Sequence, residues 1–107
     1  MPLSDYQQQI DDHLQQYAKP YWTPMSMLAR LVEEVGELAR VYNHQHGEKV
    51  RKLTEEPDDL EGELGDILFS VICIANDEGI DLDKALQKVI HKAQTRDVDR
   101  YEKKKPE

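Results

Sequence analysis

The chain has 107 residues and a mass of 12.5 kDa, room for one domain and not for two. Hydrophobic residues make up 38% and charged residues 34%, too apolar for a disordered chain and too charged for a membrane-embedded one. With 14 Lys and Arg against 22 Asp and Glu the net charge is −8, a field that repels nucleic acid and anionic membrane, so a phosphate ligand needs a cation beside it.

The opening Met1-Pro2-Leu3-Ser4-Asp5 has neither the basic region nor the apolar stretch of a leader. No window reaches the roughly 18 apolar residues of a membrane span, and a cytoplasmic location is expected. Leu3, Tyr6, Ile10, Leu14 and Tyr17 recur at three and four, and Ser4 with Gln7 forms a capping-box pattern, predicting a first helix that stops before Pro20. Thr23-Pro24 predicts a second start, a Thr cap before a Pro whose missing N–H costs nothing at the first helical position. Leu28, Leu31, Val32, Val35, Leu38, Ala39 and Tyr42 then form one stripe, ending near His46 with Gly47 as the stop. Residues 47–56 carry Lys49, Arg51 and Lys52 without an apolar period and read as a locally basic surface loop.

Pro57 permits a new start, and Leu60, Leu64, Ile67, Leu68, Val71, Ile72, Ile74 and Ala75 describe a third helix ending near Gly79. The run from Ile67 to Ala75 alone fits a buried strand, but its flanks and the total length favour helix. Its Cys73 is the chain's single cysteine and reads as a small buried hydrophobe in a reducing compartment. Asp81 or Asp83 caps a fourth helix with the stripe Leu82, Ala85, Leu86, Val89, Ile90 and Ala93. The expected fold is an all-α, four-helix bundle-like domain over residues 1–101, followed by a charged tail, residues 102–107. The third helix is apolar around most of its circumference, so a homodimer or homotetramer with sites near the subunit interface is expected.

Two helices carry acid pairs at i, i+3, a spacing that shares a face: Glu34 with Glu37, and Glu63 with Asp66. At about 100° per residue Glu34 and Glu37 fall at the edge of the buried stripe, Glu33 turns to solvent, and Glu63, Asp66 and Ser70 form one polar seam. A single helical Glu is ordinarily a solvated group, whereas four at a core edge repel and lose hydration unless a cation neutralises them. Oxygen-only ligands favour Mg²⁺ or Mn²⁺, with positions left for water and substrate phosphate. Gly36, Gly62 and Gly65 inside the helices predict a close approach of backbones beside the acids. A di-iron bundle would need Glu-x-x-His, which is absent, so His13, His44, His46 and His91 read as surface or core-edge residues. Lys88, Lys92 and Arg96 follow one face of the fourth helix, as either a solvated face or a basic counterpart to the acids.

Glu34-x-x-Glu37, 25 intervening residues and Glu63-x-x-Asp66 resemble the signature of the MazG-like nucleotide pyrophosphohydrolases, within the all-α NTP pyrophosphatase superfamily. The fuller wording sharpens the resemblance: Leu31-Val32-Glu33-Glu34-Val35-Gly36-Glu37-Leu38-Ala39-Arg40, then Glu63-Leu64-Gly65-Asp66-Ile67-Leu68-Phe69, then Lys92-x-x-x-Arg96. It implies Mg²⁺-dependent hydrolysis of nucleoside triphosphates between the α and β phosphates, to a monophosphate and pyrophosphate. It further implies that Glu34, Glu37, Glu63 and Asp66 are metal ligands and catalytic groups, one of them orienting the attacking water, and that Lys92 and Arg96 bind phosphate. Trp22, with Tyr21 before it, is a candidate for stacking on a base, against the commoner role of packing between helices. Two other readings stay open at this point: a non-catalytic acidic interaction module, and phosphoribosyl-ATP pyrophosphohydrolase within the same superfamily.

Overall fold

The computed structural model describes residues 1–55 and 57–106; Glu56 of the basic loop and Glu107 of the tail lie outside the described residues. Four helices follow in order, α1 (Leu3–Leu14), α2 (Pro24–His46), α3 (Leu60–Glu78) and α4 (Leu82–Thr95), with no strand among the described residues. The run Ile67 to Ala75 is thus helical.

Local chemistry sets most of the helix ends. Pro24 occupies the first turn of α2 behind Thr23, whose hydroxyl donates to Ser26 Oγ rather than capping the helix backbone. Asp59 caps α3 by accepting from the Gly62 N–H, and a Cβ at Gly62 would strike that carboxylate. At the other end Gly79 takes φ +69°, which an L side chain rarely adopts, and the Ile80 N–H closes back on the Ala75 carbonyl at 2.8 Å. Asp81 caps α4 by accepting from the Asp83 and Lys84 N–H groups.

The start of α1 departs from the expected capping box. Ser4 lies inside the helix, and the N–H groups of Leu3 and Ser4 donate to the two oxygens of Asp83, at 2.9 and 3.1 Å. Hydrogen bonding from Ser4, by its side chain first and then its N–H, with the Leu3 N–H adding to it, holds the Asp83 carboxyl below its ordinary pKa. Gln7, released from any capping role, is buried: its amide donates to Asn76 Oδ1 and the Ile80 carbonyl and accepts from the Leu82 N–H. One side chain thereby ties α1 to the corner between α3 and α4.

Arg30 of α2 lies beside Phe69 of α3, and Glu34 and Glu37 lie beside Glu63, so the two long helices run in opposite directions. Met27 and Val41 from α2 and Ile72 and Ala75 from α3 are the buried apolar residues. The bundle is open: its radius of gyration, 18.0 Å, exceeds the ~13 Å of a compact chain of about 100 residues. α4 buries none of its residues, and Leu86, Val89 and Ile90 on it are exposed, as are Leu64 and Leu68 of α3. The expected close approach at Gly36 and Gly65 is not found. Both are exposed, and a Cβ at either would meet nothing within 4 Å.

Candidate active site

Where α2 and α3 cross, Glu34, Glu37 and Glu63 each place a carboxylate oxygen within 4.8 Å of the others. Glu34 and Glu63 are half-buried and Glu37 is exposed. Asp66, paired with Glu63 by spacing, is exposed and lies outside this tight group. It remains within electrostatic reach: burial, then Glu37, then Asp66 push the carboxyls of both Glu34 and Glu63 above the ordinary glutamate range. One oxygen of each, Glu34 Oε2 and Glu63 Oε2, is buried with no hydrogen-bond donor among the described residues. Buried acceptors without donors, in a cluster of like charges, are what an oxygen-ligated divalent cation satisfies. The donor set therefore fits Mg²⁺ or Mn²⁺.

A raised carboxyl pKa has a stability consequence whose sign is fixed. The folded state holds protons that the unfolded state has released, so the contribution is present at and below the ordinary value near 4.5 and is lost as pH rises through the raised values. Without metal, the wild-type melting temperature is expected to fall relative to a Glu34→Gln/Glu63→Gln variant as pH rises above the ordinary glutamate range. Parallel melting curves across that window would contradict the coupling.

A pocket whose wall includes Pro20, Tyr21, Trp22, Met27, Arg30 and Phe69, and whose α3 side carries Ser70 and Cys73, is linked to the acids through Arg30. The Arg30 Nε lies 3.8 Å from Glu34 Oε1, while its guanidinium stands 5.2 Å from the Trp22 ring centre and 5.9 Å from that of Phe69. Tyr21 is fixed behind Trp22: its hydroxyl donates to Asp11 at 2.6 Å and accepts from Asn76 at 3.1 Å. Burial and the Asp11 bond push that phenol up to about 12. Cys73 is half-buried on the pocket wall rather than fully enclosed, and burial raises its thiol pKa, which keeps it uncharged.

Sequence reasoning missed Arg30, although its place one turn before Glu34 puts both on one face. It also missed the partner of His44, a side chain only 3% exposed whose Nδ1 lies 3.0 Å from Asp58 Oδ1. Nearby, Arg40 pairs with Glu55 at 3.2 Å, so two contacts fasten the 47–59 connection to α2 just beyond the acids. Lys92 and Arg96 are not drawn to the acids. Both are exposed, Lys92 in the last turn of α4 and Arg96 at the cap just past its end rather than on the helix as expected, and no ion pair joins either to an acid among the described residues.

Residues 22–101 match the MazG nucleotide pyrophosphohydrolase domain. The chain belongs to the MazG family. That span contains every acid of the cluster, Trp22, Arg30 and the basic pair Lys92 and Arg96. The uncharacterized protein YpjD of Bacillus subtilis (strain 168) is 45% identical over 102 residues, which cover 95% of this chain and 92% of YpjD. The crystal structure of YpjD from Bacillus subtilis superposes with a TM-score of 0.80 at 43% identity, covering 89% of this chain and 97% of that one. That of the Bacillus-conserved MazG protein, a nucleotide pyrophosphohydrolase, superposes at 0.77 and 42% identity, covering 90% and 93%. This MazG domain is thus a nucleotide pyrophosphohydrolase by family, and its helices carry an acidic cluster suited to divalent metal. Among the described residues no helix is long and apolar enough to cross a membrane.

Proposed function

We propose that the protein hydrolyses (deoxy)nucleoside triphosphates between the α and β phosphates, releasing a nucleoside monophosphate and pyrophosphate, as a step that clears canonical or damaged nucleotides from the pool. The observation that carries this reading is the pair of buried, donor-less oxygens on Glu34 and Glu63, facing Glu37 and linked through Arg30 to an aromatic pocket. Glu34, Glu37, Glu63 and Asp66 are the residues that would hold Mg²⁺, or Mn²⁺ in its place. The ion would supply charge neutralisation for the phosphates and a more acidic bound water. One acid of the cluster would orient the attacking water. Trp22 stacks on the base, and Lys92 and Arg96 bind phosphate oxygens as the basic pair. The exposed apolar residues of α3 and α4 support a homodimer or homotetramer with the sites near its interface. The lone, uncharged thiol of Cys73 suits a reducing compartment such as the cytoplasm.

Metal binding is tested by thermal shift. An ion that binds only the folded state at tenfold its dissociation constant adds about 1.4 kcal/mol, which for a chain of this size is a rise of roughly 5–10 °C. Glu63→Gln is expected to lose most of that rise. A melting temperature flat across millimolar Mg²⁺ and Mn²⁺ would remove the metal from the account.

A further inference from the structure

The pocket linked to the acids through Arg30 contains one polar group that the reaction as described does not use. Ser70 is buried at 4% exposure, and its Oγ has no hydrogen-bond partner among the described residues. It lies on the α3 wall of the pocket, one turn before Cys73 and directly after Phe69. A helical serine ordinarily returns its hydroxyl to the carbonyl one turn back. Here that bond is not made, so the group keeps both a donor and an acceptor to offer.

The other polar groups around the pocket offer less. The Tyr21 hydroxyl is taken by Asp11 and Asn76, and Cys73 presents only a weakly hydrogen-bonding thiol that burial keeps uncharged. The Arg30 guanidinium, itself a planar group, lies over both aromatic rings of the pocket, 5.2 Å from the Trp22 centre and 5.9 Å from that of Phe69. Its side chain is 41% exposed and its contact with Glu34 is a long 3.8 Å, so a ligand can displace it at little cost. On the reading that Trp22 faces the base, we propose that Ser70 is the specificity-determining residue of the pocket. Its hydroxyl hydrogen-bonds the polar edge of a nucleobase seated against Trp22 and Phe69 after Arg30 has moved off both rings. Bases that cannot present a matching group leave the hydroxyl unpaired and bind less well.

The chain has one tryptophan, so quenching of Trp22 fluorescence by the four common nucleoside monophosphates reads the pocket directly, with no turnover. For the wild type the four dissociation constants should differ, with one base preferred by about three- to tenfold, the range one neutral hydrogen bond provides. In Ser70→Ala the preference should collapse to within about twofold through weaker binding of that one base, and KM for its triphosphate should rise while kcat holds. Ser70→Cys, close in shape but a weak hydrogen-bonder, should behave as Ser70→Ala. An unchanged order of bases in both variants, or equal weakening of all four, would overturn the role of Ser70 while the base pocket stands. Absence of Trp22 quenching by any nucleotide in the wild type would overturn both.

Discussion

Glu63→Gln and Glu37→Gln should each lower kcat/KM by at least about a hundredfold while the helical circular-dichroism signal stays unchanged. Outer residues that merely support metal ligands cost 10- to 100-fold when removed, and these two carboxylates would be ligands themselves. The same substitutions should raise metal-free stability at neutral pH by a few tenths of a kcal/mol or more. They remove like charge from a crowded cluster and, in Glu63, a half-buried carboxylate whose charge is disfavoured by burial. A loss of activity paired with a gain in stability separates a functional cluster from a structural one, since structural ion pairs lose both together. Asp66→Asn should fall between these variants and wild type in its effect on metal affinity, in keeping with its place outside the tight group. Turnover at wild-type rates in Glu63→Gln and Glu37→Gln would sink the assignment of the acids.

Arg96→Ala is expected to lower kcat/KM by about tenfold to over a hundredfold, the range of a charge-assisted contact to phosphate worth about 1.5–3 kcal/mol. Lys92→Ala should act in the same direction but more mildly, because an ammonium is a point charge that a neighbour partly replaces. Both side chains are exposed, Lys92 on α4 and Arg96 at its C-terminal cap, so the melting temperature should hardly move. Steady-state kinetics at saturating Mg²⁺ decide between this and a solvated basic face, for which changes under about twofold are expected.

The four helices and the acid pattern were legible because both rest on local spacing. Apolar residues at three and four mark each helix, and i, i+3 carboxylates share a face whatever surrounds them. What escaped depends on contacts between distant residues. Asp83, expected as a possible cap of its own helix, instead caps α1, about 80 residues away in sequence. Gln7 left the capping box for a buried network with Asn76 and the chain near Ile80. The helical wheel groups Ser70 with Glu63 and Asp66, whereas the structure sets Ser70 on the wall of the aromatic pocket and Glu63 in the acid cluster. No wheel of one helix shows this, since the opposite wall is made by residues 20–22 and by Arg30. Glycines in the helices predicted close packing through their small size, yet Gly36 and Gly65 face open space.

The proposed reaction is attack by water on a nucleoside triphosphate between its α and β phosphates, with divalent metal held by the acid cluster. The most direct test is phosphorus NMR of the products formed from each common ribo- and deoxyribonucleoside triphosphate, with and without Mg²⁺. Nucleoside monophosphate and pyrophosphate should form in equal amounts, and only when Mg²⁺ or Mn²⁺ is present. Nucleoside diphosphate with orthophosphate, or no turnover of any nucleotide at millimolar metal, would contradict it.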